Sequence, residues 1–193
     1  MGLFDTEYYT ELELRNAGFK TVGENVQIAK NCTIVGESNI DIGDNVRIDS
    51  YTSIIAIGDG FVELGSYIHI GSHSYLGASR GIIFKDFTGL SQGVKIYSQS
   101  DDYSGEHMTN PTVPSEYTGG TQGTVTLEKH VIIGSNTVIL PCLKIGEGSA
   151  VGAQSLVVKS LDEWGLYVGV PVKKIKDRTK TLLEKQALLL HRY

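Results

Sequence analysis

Aliphatic residues recur every six positions along the C-terminal half of the chain. The run, in order, is Leu127, Ile133, Ile139, Ile145, Val151 and Val157. A helix would place its apolar residues three or four positions apart, and an ordinary strand would alternate them every two. A period of six instead predicts a short strand and a tight turn, repeated many times.

The same period appears upstream in four shorter runs, separated by slips of phase. The runs are Val22, Ile28, Ile34, Ile40; then Ile42, Ile48, Ile54; then Leu64, Ile70, Leu76, Ile82; and then Phe84, Leu90, Ile96. Three six-residue units complete a triangular coil of about 18 residues, and such coils stack through parallel strand pairing. The sequence therefore predicts an all-β parallel β-helix over residues 20–170. A β-sandwich, the alternative, does not explain a six-residue lattice.

Each aliphatic residue is predicted to point into the prism, together with the residue four positions later. That second set is Val131, Thr137, Leu143, Ser149 and Ser155. The tetrads that begin at Val22, Ile42, Leu64 and Ile145 resemble one turn used repeatedly. We expect their Gly and Asn residues to supply turn positions with positive φ.

Three segments lack the repeat. Residues 1–19 are predicted to form an N-terminal cap, with a short helix within 5–17. Residues 98–124 form a polar loop, and long ordered loops often carry function. Residues 171–193 are predicted to hold an amphipathic helix after Pro171, which either covers the open end of the prism or packs on a neighbouring subunit.

Charge and composition exclude several classes of protein. The net charge of −5 and the pI near 5.5 argue against a nucleic-acid partner. No apolar run is long enough to span a bilayer, so no membrane association is expected. With no secretory signal, Cys32 and Cys142 are expected to be cytoplasmic thiols. Residues 171–193 carry seven basic residues against two acidic ones, which indicates either a site for an anionic ligand or a solvated helix face.

Three segments resemble the hexapeptide-repeat acyltransferases: Val131–Asn136, Ile145–Ala153 and Gly169–Ile175. The last is similar to the Gly-x-Pro-Ala-Lys motif that ends the β-helix in sugar acetyltransferases, with Val172 in the Ala place. This resemblance implies a left-handed parallel β-helix, a homotrimer, and acetyl-CoA bound in a cleft between subunits.

The same segments supply candidate contacts for acetyl-CoA. Small residues allow the thin pantetheine arm to approach the backbone, and cations suit the phosphates of the ligand. The candidates are Gly134, Ser135, Gly152, Ala153, Lys159, Pro171, Lys173 and Lys174. Gly134 and Gly152 would also serve as turn residues without any ligand.

The acceptor side departs from the maltose- and galactoside-type acetyltransferases. Asp101 stands where that branch has its catalytic His. The segments 100–106 and 109–112 instead resemble surface-polysaccharide enzymes, a branch that includes N-acetyltransferases of dTDP-4-amino-4,6-dideoxyglucose. A sugar amine is a better nucleophile than a hydroxyl, so loss of the His favours an amine acceptor, with Asp101 or His107 as the base.

Further residues are candidates for binding the acceptor: Asp102, Tyr97, Asn110, His69 and His73. Asp101 and Asp102 would hold a sugar amine or hydroxyl, or else form a turn of the loop. The two histidines would either face the cleft of a neighbouring subunit or cover the prism surface. Their spacing does not favour zinc, and no metal is expected.

These observations predict an acetyl-CoA-dependent acetyltransferase of a sugar or nucleotide-linked amino sugar, serving surface-polysaccharide synthesis. Three alternatives remain at this point. They are an O-acetyltransferase of a galactoside- or maltose-type sugar, a zinc-binding β-helix of the carbonic-anhydrase type, and a non-catalytic trimeric scaffold.

Overall fold

The computed structural model describes residues 7–191 and shows a left-handed parallel β-helix of six coils. The strands are β1 (Thr21–Val22), β2 (Gln27–Ile28), β3 (Thr33–Val35), β4 (Ile40–Ile42), β5 (Arg47–Ile48), β6 (Ser53–Ile55), β7 (Val62–Leu64), β8 (His69–Ile70), β9 (Tyr75–Gly77), β10 (Ile82–Phe84), β11 (Gly89–Leu90), β12 (Lys95–Tyr97), β13 (Gln99–Asp101), β14 (Gly120–Gln122), β15 (Val125–Leu127), β16 (Ile132–Ile133), β17 (Val138–Ile139), β18 (Lys144–Ile145), β19 (Ala150–Val151), β20 (Leu156–Val157), β21 (Gly165–Gly169) and β22 (Val172–Asp177). The helices are α1 (Glu11–Asn16) and α2 (Leu182–Leu190).

Three parallel sheets form the faces of the prism. The first sheet has the order β1-β4-β7-β10-β15-β18, and the third has the order β3-β6-β9-β12-β17-β20. The second sheet, β2-β5-β8-β11-β16-β19, is extended at its end by β21 and by β22, which pairs antiparallel to β21. The all-β fold class predicted from the six-residue period is confirmed.

The core consists of the predicted inward positions. Leu127, Ile133, Ile139, Ile145 and Val157 are fully buried, and Val151 is nearly so. The residues four positions later are buried as well, including the polar ones. The Thr137 hydroxyl donates to the Gly152 carbonyl at 3.0 Å, and the Ser149 hydroxyl donates to the Asp162 carbonyl at 2.7 Å. These buried hydroxyls are therefore paired with backbone carbonyl groups at the corners, and no unpaired polar group is left by them in the apolar interior.

The slips of phase arise from extra residues after strands of the third sheet. Three six-residue units alone would place equivalent residues of successive coils about 18 positions apart. The observed separations are 20 residues between Glu24 and Asp44, 22 between Asp44 and Ser66, and 20 between Ser66 and Asp86. A short 3₁₀ turn at Glu37–Asn39 occupies one of these enlarged corners. The faces keep their six-residue register because the insertions stay at the corner.

The prediction about turn glycines is only half right. The fourth residue of each tetrad has positive φ, 54° at Asn25 and 56° at Asn45. The glycine in second place does not. A Cβ added at Gly43 would lie 2.7 Å from the Gly65 carbonyl oxygen of the next coil. Glycine is required there because the coils stack closely.

The N-terminal segment forms the short helix expected within residues 5–17. Thr10 caps α1, accepting a hydrogen bond from the Glu13 backbone N–H while the Glu13 carboxylate accepts one from Thr10. Leu14 is buried against the core and covers the first coil. The part of the cap in residues 1–6 lies outside the described residues.

The C-terminal segment differs from the expected helix directly after Pro171. Residues 172–177 form strand β22, because the edge of β21 offers backbone hydrogen-bonding groups that a strand can pair. Helix α2 begins only at Leu182 and lies beside the second sheet, where Gln186 Oε1 is 2.7 Å from His130 Nε2. The alternative that this helix covers the open end is therefore wrong.

Candidate active site

The loop 98–124 leaves the prism after β12 and returns at β15, as expected from the sequence. Its two ends pair as the antiparallel strands β13 and β14, with Asp101 opposite Gly120. The hairpin stands at the outer surface of the third sheet and closes one side of a groove of about 670 Å³. The groove is lined by Tyr75, Gly77, Ser79, Tyr97, Gln99, Ser100, Asp101, Tyr103, Pro111, Val138 and Leu140.

Aromatic rings and one carboxylate give this groove its chemistry. The rings of Tyr75 and Tyr97 lie 5.5 Å apart between centroids, on neighbouring strands β9 and β12. Burial raises the pKa of the Tyr97 hydroxyl, which therefore stays protonated and can donate a hydrogen bond. Asp101 is exposed at the rim. Aromatic faces next to a carboxylate suit a sugar ring that carries an amine.

Asp102 and His107 form a separate pair within the loop. The Asp102 carboxylate accepts from the backbone N–H groups of Ser104 and His107, both at 2.8 Å, and lies 3.3 Å from His107 Nδ1. Hydrogen bonds from the Ser104 backbone and side chain, and then from His107, hold the Asp102 pKa well below its usual range. Both oxygens of this carboxylate are thus used to fold the loop.

The His107 ring packs beside Gly119, the residue directly before strand β14. A Cβ added at Gly119 would lie 2.6 Å from this ring. His107 does not line the groove that holds Asp101. Asn110 closes a turn by accepting from the Thr112 backbone N–H at 3.0 Å, and its neighbour Pro111 reaches the groove.

His69 and His73 lie away from this groove. His69, on the second sheet, places Nε2 2.8 Å from Asp49 Oδ2, while Arg47 bonds the other Asp49 oxygen at 2.7 Å. His73 stacks on Tyr51 with ring centroids 5.0 Å apart. Neither histidine contacts the loop in this chain, so a role at the acceptor would require a neighbouring subunit.

Four of the predicted acetyl-CoA contacts share one edge of the prism. Gly134 and Ser135 follow β16, and Gly152 and Ala153 follow β19 one coil further on. A Cβ added at Gly134 would lie 2.5 Å from the Ala153 backbone nitrogen, so coil stacking already requires this glycine. The chain passes from this edge directly through Thr137 to Val138 in the groove.

The remaining predicted contacts are spread over the C-terminal segment. Pro171 lies exposed in the turn between β21 and β22, and Lys173 and Lys174 lie exposed on β22. Lys174 forms an ion pair with Asp177 at 2.8 Å. Lys159 follows β20 of the third sheet and is therefore on a different corner from Gly134.

Several groove residues were not predicted from the sequence: Tyr75, Tyr103, Val138 and Leu140. Tyr75 and Val138 directly precede inward aliphatic residues of the repeat and therefore point outward. Large apolar residues at outward positions of adjacent coils are the signal that could have identified them.

Two further properties concern the described residues as a whole. Between residues 7 and 191, no group of three or more His, Cys, Asp or Glu side chains is arranged to hold a metal ion. Over the same range, neither helix has the length and apolar character needed to cross a membrane.

Comparison with known proteins places this geometry in a family. No protein-family model matches the chain. An Escherichia coli dTDP-4-amino-4,6-dideoxy-D-glucose acyltransferase is 41% identical over 181 residues, 94% of either chain. A crystal structure of an AntD variant, an N-acyltransferase from Bacillus cereus in complex with dTDP and coenzyme A, superposes with a TM-score of 0.93, at 41% identity over 98% of this chain and 100% of that one.

A second AntD structure, in complex with dTDP and 3-hydroxybutyryl-CoA, also has a TM-score of 0.93, at 42% identity over 97% of this chain and 98% of that one. The extent of these matches covers the β-helix, the loop and the C-terminal segment together. The predicted resemblance is confirmed: the chain belongs to the dTDP-4-amino-4,6-dideoxyglucose acyltransferase family, within the hexapeptide-repeat acyltransferases.

Proposed function

We propose that the protein transfers the acetyl group of acetyl-CoA to the 4-amino group of a dTDP-4-amino-4,6-dideoxy sugar. The observation that carries this proposal is the direct connection between the edge at Gly134 and the groove that holds Asp101. The edge offers a donor path beside the backbone, and the groove offers an aromatic and anionic site for the amino sugar. The two meet at Val138.

The reaction needs a neutral amine. A sugar amine that arrives as an ammonium ion gives one proton to the Asp101 carboxylate, and its lone pair then attacks the thioester carbonyl. This attack forms the C–N bond and gives a tetrahedral intermediate, and the C–S bond then breaks as the intermediate collapses. The second amine proton leaves with the CoA thiolate, which becomes the free thiol. We assign the base to Asp101 rather than to His107, since the His107 ring is held outside the groove.

The donor would lie along the edge formed by Gly134, Ser135, Gly152 and Ala153. The pantetheine arm carries amide groups that can exchange hydrogen bonds with backbone groups of stacked turns. Lys173, on β22 opposite Val168, lies at the end of the same edge and would meet the phosphates of CoA. Pro171, Lys174 and Lys159 would contribute from the surrounding surface.

A homotrimer would complete the site. Apolar side chains are exposed on the outer surface and corners of the third sheet, including Val35, Ile57 and Val158 at 42%, 52% and 44% exposure. An apolar face of this kind favours contact with another subunit. A neighbour seated there would cover the groove and exclude water from the thioester.

The product would be an N-acetylated nucleotide sugar for surface-polysaccharide synthesis, made in the cytoplasm. Both substrates are charged, activated metabolites, and the family relatives act on a dTDP-linked sugar. The two cysteines of the chain are free thiols, in agreement with a reducing compartment.

The direct test measures free thiol release from acetyl-CoA with dTDP-4-amino-4,6-dideoxyglucose as acceptor. The matched control is the 4-hydroxy analogue dTDP-6-deoxyglucose, and a parallel series replaces acetyl-CoA by 3-hydroxybutyryl-CoA. We expect turnover with the amino sugar and acetyl-CoA, and at least a hundredfold less with the hydroxy analogue. Equal rates on both acceptors, or preference for the larger acyl group, would contradict the proposal. Light scattering gives the subunit count.

A further inference from the structure

Arg80 is fixed to both ends of the loop 98–124. Its backbone N–H donates to the Ser98 hydroxyl at 2.8 Å, and its carbonyl accepts from the Thr124 hydroxyl at 2.9 Å. Its guanidinium Nε donates to Gln122 Oε1 at 2.7 Å. Ser98 is itself fully buried and donates to the Gly77 carbonyl at 2.9 Å. The guanidinium is therefore held in one place relative to the hairpin, at little further entropic cost on binding a ligand.

The guanidinium faces a second cavity, of about 260 Å³, on the hairpin. This cavity is lined by Arg80, Gln99, Ser100, Ser115, Thr118, Gly119, Gly120 and Gln122. Among these lining residues of the described chain, Arg80 is the only charged one, and the others offer hydroxyl, amide and backbone groups. A lone cation surrounded by small polar groups suits an anion with several oxygens.

The carboxylate of Asp59 is the other partner of Arg80. It lies 3.5 Å from Nη1, and the Asp59 side chain is 94% exposed. Water competes strongly with an ion pair at such an exposed carboxylate, which therefore contributes little. A ligand anion can replace Asp59 without disturbing the buried anchors of Arg80.

The cavity at Arg80 adjoins the groove at Asp101. Gln99 and Ser100 line both, so the two compartments are separated only by strand β13. A nucleotide sugar has a matching layout, because its diphosphate is bonded directly to the sugar ring. A sugar seated beside Asp101 could therefore extend its diphosphate past Gln99 and Ser100 into the cavity at Arg80.

The loop would otherwise repel such a ligand. It carries four carboxylates: Asp101, Asp102, Glu106 and Glu116. A diphosphate brings two more negative charges into this field, and their repulsion grows as water is excluded. A positioned cation is needed to offset it.

We propose that Arg80 binds the diphosphate of the nucleotide-sugar acceptor in this cavity, so that recognition of the nucleotide positions the amine at Asp101. This inference rests on the proposed function and adds to it the residue that recognises the nucleotide. Coenzyme A also carries a diphosphate, so the experiment must separate the two sources.

The test compares the wild-type protein with Arg80→Gln, Arg80→Lys and the matched control Arg15→Gln, whose arginine is exposed on α1 beside Glu11. Calorimetry measures the binding of dTDP, thymidine and coenzyme A to each. We expect Arg80→Gln to weaken dTDP binding by about tenfold to a hundredfold, as for a lost charge-assisted hydrogen bond. Arg80→Gln should bind thymidine and coenzyme A with the same affinity as the wild type. That result would also show that the variant is folded.

Arg80→Lys keeps the positive charge but loses the planar set of guanidinium donors. Its affinity for dTDP should therefore lie between those of the wild type and Arg80→Gln. The acceptor KM should rise in Arg80→Gln by a similar factor, with a smaller change in kcat. Unchanged dTDP affinity in Arg80→Gln would overturn the inference, as would a loss confined to coenzyme A, which would assign Arg80 to the donor. A different result would contradict the proposed function itself, namely that the wild-type protein releases no thiol from acetyl-CoA with the amino sugar.

Discussion

Asp102 holds His107 through two contacts, the backbone N–H at 2.8 Å and ring Nδ1 at 3.3 Å. The same carboxylate binds the Ser104 backbone N–H, so one ionised side chain organises the turn that follows β13. The turn supports the hairpin that forms the wall between the groove and the cavity at Arg80. The order of this wall should therefore depend on the charge of Asp102.

This dependence predicts a pH effect that Asp102→Asn removes. The Asp102 pKa is lowered in the folded protein from an ordinary value of 3.8, so its contribution to stability is fully present above that value and is lost as pH falls below it. Thermal unfolding measured from pH 7 to pH 2 should show a smaller decrease in Tm on acidification for Asp102→Asn than for the wild type. At pH 7 the variant should have a lower Tm.

Glu106→Gln is the matched control for Asp102→Asn, because it neutralises an exposed carboxylate of the same loop. It should leave the acid dependence of Tm close to that of the wild type. In Asp102→Asn, the KM for the acceptor should rise by about tenfold while coenzyme A binding is retained. Identical acid profiles for the wild type and Asp102→Asn would show that the loop does not depend on this charge.

Asp101→Asn should lower kcat by about a hundredfold or more, because the variant keeps the shape of the groove but loses the proton acceptor. The loss should shrink as pH rises, since a larger share of the sugar amine is then neutral without help. Thiol release measured from pH 6 to pH 9 checks this. Glu116→Gln, another carboxylate of the loop, is the control. A deficit that stays constant across this range would assign Asp101 to binding alone.

Gly134→Ala separates two roles for the glycine edge. The added methyl would meet the Ala153 backbone nitrogen at 2.5 Å, so we expect a loss of about 1–3 kcal/mol in the free energy of unfolding from overpacking. Gly58→Ala is the control: its site is open, and only the positive φ of 62° opposes alanine, at about 1 kcal/mol. Chemical denaturation measures both. A stable Gly134→Ala that fails to bind coenzyme A would show that the glycine serves the ligand alone.

The six-residue period predicted correctly which residues are buried in the prism, because each coil packs its aliphatic side chains against those of the neighbouring coils in the same way. Ile96 and Ile139 pair on neighbouring coils of the third sheet, and both are fully buried. Outward positions obey no such rule, so the period did not indicate that Tyr75 and Tyr97 form a groove. The loop was identified because it breaks the pattern.

The arrangement within the loop could not be predicted from spacing. Asp101 and Asp102 are adjacent in the chain, yet one reaches the groove and the other folds the turn, because strand β13 ends at Asp101 and the turn begins at Asp102. The position of α2 also depends on a contact between residues far apart, Gln186 with His130. No local pattern marks such a pair.

A column of stacked rings joins the coils at the corner beside α2, and Phe87→Leu should disrupt it. The Phe87 ring lies 4.8 Å from that of Tyr67 and 5.0 Å from that of His130, both nearly parallel. Each such pair contributes about 0.5–1.5 kcal/mol, so the variant should lower the free energy of unfolding by about 1–3 kcal/mol. Chemical denaturation measures this loss. Tyr117→Leu, at an exposed tyrosine of the loop, should cost far less.

The same substitution should also loosen α2. His130 stacks on Phe87 and contacts Gln186, so a less ordered His130 ring weakens the attachment of the helix. Limited proteolysis should therefore cut near residues 178–182 faster in Phe87→Leu than in the wild type. Unchanged cleavage together with lowered stability would show that α2 is held by Arg178, which donates to the Gly148 carbonyl at 2.6 Å, independently of the ring column.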